Sequence, residues 1–289
     1  MSAETGAALA TVCRILSAPR STVYARRRPA TRAPVKRGPR TAIADDERLV
    51  KIREAITGSP FAGEGHRKVT ARLRREHGIG VGRKRVLRLM REAGLLAPQR
   101  TRGRRRPRLH DGTITPEAPN LLWGTDATMA YTARDGWVWC FVAVDHHTAE
   151  AWASVARRGD RFAALEPIYD AVRDRFGELS PDVARGISCR HDWGPQYTSS
   201  HFTGSLAWLG ISDSPSFVGE PSCNGCAERF IRTLKEECIW SRTWRDAQAL
   251  AEGVGAFVEL YNASWLIERH GHRTPREVYR SWLTRREAA

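Results

Sequence analysis

The sequence predicts an α/β domain, a mixed sheet with flanking helices, preceded by an all-helical basic region. Two observations lead there. Apolar residues recur at helical spacing through the first third of the chain and change to strand-like runs near Asn120. Beyond that point strands meet first as hairpins and later alternate with helices, which is the pattern of a layered mixed sheet. Charge divides at the same place. Residues 1–119 hold 28 of the 47 Lys and Arg but only 10 of the 32 Asp and Glu, so the whole excess of +15 lies ahead of the sheet.

The elements follow in order. Residues 1–40 form an N-terminal helical segment and a basic linker. Ala8 to Leu16 holds helix formers, Ser21 is placed to N-cap a second short helix through Val23 and Tyr24, and residues 28–40 are rich in Pro and Arg. Residues 41–97 carry three helical patterns. Ala44 to Ile56 aligns Leu49, Ile52 and Ile56; Gly65 to His77 turns Val69 and Leu73 inward and leaves Arg67, Arg72, Arg74 and Arg75 elsewhere; Gly80 to Leu96 turns Val86, Leu89 and Met90 inward. The Gly78-Ile79-Gly80 break between two short basic helices suits a helix-turn-helix module. Its basic faces offer Arg67, Lys68, Arg83, Lys84, Arg85 and Arg88 to phosphates. Residues 98–119 are an Arg-rich connector, either an arm on DNA or a solvated linker.

The sheet domain is expected over residues 120–262 and a C-terminal segment over 263–289. Leu121 to Tyr131 reads as a strand, Arg134-Asp135-Gly136 as a tight turn and Trp137 to Asp145 as the returning strand. Ala151 to Ala156 is a candidate third strand. Arg161 to Phe176 is a helix with Phe162, Leu165, Ile168 and Val172 on one side. Ala184 to Cys189 is a strand leading into Arg190-His191-Asp192. Phe202 to Leu209 is a helix, Ile211 to Ser214 a strand, and Asn224 to about Trp240 a longer helix.

Composition narrows the function. An apolar content of 41% supports a packed core. No apolar run is long enough to span a bilayer and the N-terminus lacks the basic start of a signal peptide, so a cytoplasmic, nucleoid-associated protein with no membrane partner is expected. Six cysteines in a chain of this length make no disulfide framework, and Cys223 and Cys226 have no second pair with which to complete a zinc site. The confined positive charge points to DNA, because neutralising phosphates releases counterions; a solvated basic tail is the plainer alternative. No phosphate-binding Gly-x4-Gly-Lys loop and no Gly-x-Ser-x-Gly elbow occurs, which disfavours an ATP-driven recombinase or a serine hydrolase.

Three acidic residues carry the candidate chemistry. Phosphodiester transfer needs charge neutralised on both the attacking and the leaving oxygen, which two divalent ions about 4 Å apart provide when clustered carboxylates hold them. Asp126 lies inside an apolar strand, where a carboxylate requires a metal, a partner or solvent; an Asp on an exposed face explains it equally. Asp192 ends a strand just before Trp193-Gly194-Pro195, where loops open clefts; a turn-forming Asp explains that as well. Projected on its helix, Glu228 shares a ridge with Arg232 and Lys235, while Phe230, Ile231, Leu234 and Cys238 fill another arc; an ordinary i,i+4 charged surface fits too. Together they give a strand Asp, a strand-end Asp and a helix Glu behind a basic region.

At these residues the sequence resembles the insertion-sequence-three family of transposases, specifically its second reading-frame product, and more distantly the retroviral integrases. Asp126 stands in Trp123-Gly124-Thr125-Asp126, Asp192 in His191-Asp192-Trp193-Gly194-Pro195-Gln196-Tyr197, and Glu228 in Asn224-Gly225-Cys226-Ala227-Glu228-Arg229-Phe230, with 35 residues between Asp192 and Glu228 as in that family. Gly65 to Lys68, Arg91 to Leu96, Tyr261-Asn262 and Arg273-Thr274-Pro275 extend the likeness over most of the chain. The resemblance implies a ribonuclease-H-like fold with a five-stranded mixed sheet and a DDE triad of Asp126, Asp192 and Glu228. It implies two Mg²⁺ (or Mn²⁺) ions, one held by Asp126 and Asp192, the other by Asp126 and Glu228. The implied reaction is hydrolysis at an element's 3′ ends followed by attack of the freed 3′-OH on target DNA. Asn224, Arg232 and Lys235 are implied as supports of the carboxylates or contacts to DNA. A homo-oligomer on DNA and the product of an upstream frame are the implied partners. Two departures stand out. Trp193 follows Asp192 where many relatives carry a basic residue, and Ser264-Trp265-Leu266 intervenes before His270. Two alternatives stay open: a DNA-binding regulator without catalysis, and a nuclease that cuts without joining.

Overall fold

The computed structural model describes residues 8–27, 43–98, 116–216 and 224–288. The linker expected over 28–40 and residues 99–115 of the Arg-rich connector expected over 98–119 lie outside these residues, as does Cys223 of the C-x-x-C pair. The chain divides into two compact units, Met1–Ala44 and Asp45–Ala289. In the first, α1 (Leu9–Ile15) and α2 (Arg20–Arg27) are short helices, with Cys13 buried. Ser21 lies inside α2 rather than at its cap.

The second unit opens with α3 (Asp45–Thr57), α4 (His66–His77) and α5 (Arg83–Glu92). Ile52, Val69, Leu73, Val86, Leu89 and Met90 are buried, in line with the helical spacing. Gly78 ends α4 in the left-handed region, φ 65°, a conformation that costs a residue with a Cβ. Arg72 departs from the expected outward set. Its side chain is 6% exposed and paired with Glu64, which is 3% exposed; a buried carboxylate needs that cation beside it.

The sheet has the order β3-β2-β1-β4-β5. Strands β1 (Leu122–Thr132), β2 (Gly136–Asp145) and β3 (Ala151–Ala156) pair antiparallel; β4 (Ser188–His191) runs parallel to β1, and β5 (Ser212–Pro215) parallel to β4. This is the five-stranded mixed sheet that the ribonuclease-H-like expectation required. Strand β4 begins later than the expected Ala184, because residues up to Ile187 form turns before the pairing starts. Both faces of β2 are covered, which explains its unbroken apolar run. Val138, Cys140, Val142 and Val144 face one core, Phe141 and Ala143 the other.

The second core is closed by α6 (Arg161–Phe176) and α7 (Ser200–Trp208), through Leu165, Ile168, Val172, Phe202 and Leu206. Phe162, expected in that row, is 52% exposed. It occupies the first turn of α6, where Asp160 accepts hydrogen bonds from the Phe162 and Ala163 backbone. The first core is closed by α8 (Gly225–Glu237) and α9 (Ala247–Ser264), and α10 (Pro275–Glu287) follows. The sequence reading named neither α9 nor α10. Yet α9 repeats Leu250, Val254, Phe257, Val258 and Tyr261 on one buried face, and α10 starts on a Thr274–Glu277 capping box. Asn262 clamps α9 to the sheet edge: its Oδ1 accepts from the Ala151 backbone N–H at 3.0 Å and its Nδ2 donates to the Ala151 carbonyl at 2.8 Å. Those backbone groups would otherwise be left on an open strand edge.

The α3–α5 helices share this unit with the sheet. Phe61, between α3 and α4, is buried in the first core, 4.9 Å edge-on from Trp265 and 6.4 Å from Phe257. Lys68 sits 2.8 Å above the centroid of the Trp265 ring, and burial pushes its ammonium down to about 7 against the pull of Glu64.

Candidate active site

The parallel pairing of β1 with β4 aligns two of the carboxylates. Leu122 pairs with Ser188, Trp123 with Cys189 and Gly124 with Arg190. Two steps further along each chain stand Asp126 and Asp192, Asp192 being the first residue past the end of β4. Neighbouring strands lie about 4.8 Å apart, and residues two apart share a face. Trp123 and Cys189 point into the core under α6 and α7, so Asp126 and Asp192 belong to the opposite face. That face is covered by α8, which packs on β1 and β2 and carries Glu228 in its first turn.

Electrostatics report the same gathering. The Asp126 carboxyl is pushed up to about 6, chiefly by burial and further by the negative charges of Asp192 and Glu228; a hydrogen bond from the Ala127 N–H and the nearby Lys235 act in the other direction. Desolvation raises the Glu228 carboxyl, and Arg232 opposes it. A cation is the species that relieves this arrangement. Below about pH 6 it must first displace the Asp126 proton.

Each carboxylate has its own support. Asp192 Oδ1 accepts from the Gly194 N–H at 2.9 Å. A Cβ on Gly194 would stand 2.6 Å from Gln196 Nε2 and 2.9 Å from Asp192 Oδ1, so glycine permits the tight turn. His191 is buried beneath, its Nδ1 2.6 Å from the Asp192 carbonyl and its Nε2 2.6 Å from Asp213 Oδ1. Asn224 precedes α8 and is 7% exposed. It donates to the Thr125 carbonyl at 2.8 Å, and its Oδ1 is buried with no hydrogen-bond partner among the described residues. Gly124 makes room for it, since a Cβ there would come within 2.3 Å of that oxygen. The α8 ridge matches the projection: Glu228 and Arg232 are exposed while Phe230, Ile231, Leu234 and Cys238 are buried.

Tyr197 is a site residue that sequence reasoning missed. Fully buried and stacked on His191 at 5.5 Å, it has its phenol raised well above the ordinary value, first by burial and further by the charges of Asp126 and Asp192, with the neighbouring Thr125 acting in the other direction. It floors the two aspartates. Its signal was an aromatic placed shortly after a turn that follows an acid, which is too common to single out.

Among the described residues, no three His, Cys, Asp or Glu side chains are close enough as they stand to hold one metal ion together. The donor set still fits divalent cations in pairs. Carboxylate oxygens are the hard donors that Mg²⁺ takes, and Mg²⁺ keeps waters in its remaining positions.

The basic residues of the helical region are placed unevenly. Arg67 and Arg83 reach Glu268 at 3.0 and 3.5 Å, Arg85 and Arg88 both pair with Asp45, and Lys68 is largely enclosed. Lys84 is exposed and forms no ion pair among the described residues.

Comparison with known proteins agrees with this architecture. A family model described as an HTH-like domain matches residues 44–103, and one described as an integrase core domain matches residues 209–275. The transposase InsD of the Escherichia coli insertion element IS2A/D/F/H/I/K is 26% identical over 242 residues, 82% of this chain and 79% of that protein. Among solved structures, the catalytic core of the BIV integrase aligns at a TM-score of 0.39 with 22% identity, covering 58% of this chain and 99% of that one. The HTLV-2 integrase core, solved in complex with magnesium, aligns at 0.41 with 15% identity, covering 56% and 98%. The chain therefore carries a match to an HTH-like domain ahead of a match to an integrase core domain. Over most of its length it is similar to transposases of insertion elements. Among the described residues, no helix is long and apolar enough to cross a membrane.

Proposed function

We propose that this transposase is a metal-dependent polynucleotidyl transferase that cleaves the 3′ ends of its element and joins them to target DNA through Asp126, Asp192 and Glu228. The observation that carries the reading is the β1–β4 register, which sets Asp126 beside Asp192 on the face that α8 covers with Glu228.

Asp126 and Asp192 would hold one Mg²⁺ or Mn²⁺, and Asp126 with Glu228 the other, so each ion draws on a pair of carboxylates. Two such ions supply charge neutralisation on the entering and leaving oxygens of an in-line displacement. The protein holds the carboxylates ready. His191 and the Gly194 N–H fix Asp192, the Asn224 amide ties the start of α8 to β1 one residue from Asp126, and Tyr197 closes the floor against water. Arg232 and Lys235, on the Glu228 ridge, meet the phosphates that flank the reacting bond. Asn224, being buried, acts through the strand it holds. Arg67, Lys68, Arg83, Lys84, Arg85 and Arg88 belong to the DNA-binding region; Lys84, exposed and unpaired among the described residues, is the readiest of them to meet phosphate. The working complex contains DNA, more than one copy of the chain and the upstream-frame product.

Asp192→Asn tests the assignment. It keeps the shape of the side chain and removes a negative ligand. Mg²⁺-dependent strand transfer should fall by more than about a hundredfold, the upper range for losing a mere support of a metal ligand, with DNA binding retained. Strand transfer at the wild-type rate would refute the catalytic reading.

A further inference from the structure

We infer that Trp193 is a stacking platform for the nucleobase next to the phosphodiester held at Asp192; the inference rests on the catalytic reading of Asp192 above. Trp193 is the residue after Asp192, and it is 56% exposed at the rim of the carboxylate face. An indole so exposed is usually free to turn, but this one is tied down. Its Nε1 donates to the Ser216 carbonyl at 2.7 Å, bridging the loop after β4 to the residue that follows β5. The Ser216 N–H in turn donates to the His191 carbonyl at 2.8 Å, so both ends of the bridge are fixed to the loop that carries Asp192. With its one polar group satisfied, the ring leaves its apolar surface to solvent in a set orientation.

That combination suits a base and little else of the substrate. Neighbouring bases lie roughly 3.4 Å apart along a strand, and adjacent Cα atoms are about 3.8 Å apart. A base flanking a phosphodiester held at Asp192 is thus within reach of a large ring on the next residue. Stacking is tolerant of sequence, because every base has a π-face, and it releases no counterions. The other exposed indoles, Trp137, Trp208 and Trp240, are not adjacent to a carboxylate of the triad. A base that is already unpaired costs least to place there.

The test uses the full chain and a short duplex ending in a two-nucleotide unpaired 3′ tail, with 2-aminopurine as a tail base, in metal-free buffer. Wild type should quench the 2-aminopurine fluorescence. Trp193→Ala should abolish the quench and weaken binding of the tailed duplex by about tenfold to a hundredfold, leaving the salt slope and the affinity for a blunt duplex unchanged. Trp193→Phe, which keeps a ring but loses the N–H, should retain most of both, separating the ring from its tether. Quenching by Trp193→Ala equal to wild type overturns the inference, as does an equal loss on tailed and blunt duplexes. So does a change of oligomeric state in Trp193→Ala with quenching intact, which would make the ring a contact between copies. A wild-type chain that joins DNA ends without Trp193-dependent quenching sinks the stacking assignment alone. Quenching through Trp193 in a chain that joins no ends supports stacking and sinks the catalytic reading.

Discussion

Helix α4 carries Arg67, Lys68, Arg72, Arg74 and Arg75, and helix α8 carries Arg229, Arg232 and Lys235. On α4 most of these cations are already engaged by the protein's own acids: Arg67 with Glu268, Lys68 and Arg72 with Glu64, and Arg75 with Glu277. On α8 none of the three forms a close ion pair among the described residues; Lys235 and Arg232 instead act at longer range on Asp126 and Glu228. A count of Lys and Arg gives the amount of positive charge, whereas its availability to a phosphate depends on which acids the fold delivers. Two of the acids that engage α4, Glu268 and Glu277, come from around α10, about two hundred positions away in sequence, while Glu64 lies on the loop just before the helix.

Four variants break or sharpen this contrast. Arg72→Met removes the closer of the two cations beside the buried Glu64, leaving only Lys68, and should cost up to about 3–5 kcal/mol of stability in urea unfolding; a loss below about 1 kcal/mol would mean that Glu64 is not held by Arg72. Glu228→Gln, on the ridge whose cations are unpaired, should lower strand transfer by more than about a hundredfold while leaving the salt slope of DNA binding as in wild type. Replacing Arg83, Lys84 and Arg85 together with Ala should flatten that slope by about one to two, short of the roughly 2.7 expected if all three met phosphates freely. An unchanged slope would remove this face from DNA binding; a full loss would mean that the pairs to Glu268 and Asp45 open on DNA. Glu268→Gln frees Arg67 and Arg83 from an exposed acid and should tighten DNA binding by no more than about fivefold. Weaker binding would show that Glu268 positions the loop rather than restraining the charges.

The hairpin of β1 and β2 was legible because alternation and a tight turn are local signals, and α8 was legible because its apolar arc and charged ridge separate cleanly on a projection. The two aspartates were legible only as candidates. What joins them is a parallel pairing between strands more than sixty positions apart, and nothing in either strand announces its register. Arg72 was misplaced because its counterion, Glu64, lies on the preceding loop, and helical spacing says nothing about loops. Phe162 was misplaced because its spacing matches Leu165 and Ile168 although it sits in the first, exposed turn. Helix α9 is legible in the sequence, since Leu250, Val254, Phe257 and Tyr261 recur at helical spacing and form its buried face. Tyr197 and Asn224 gain their meaning from what lies beneath or beside them, which only three dimensions supply.

Phe61 sits in the same apolar core as Phe257 and Trp265, so the helices ahead of the sheet are not hung from it on a tether. Protein interiors are packed as tightly as organic crystals and transmit displacement rather than absorb it. A duplex seized by those helices would accordingly reach the carboxylates at a constant offset. The enzyme would then choose where to cut partly as a ruler does, by length measured from a fixed stop.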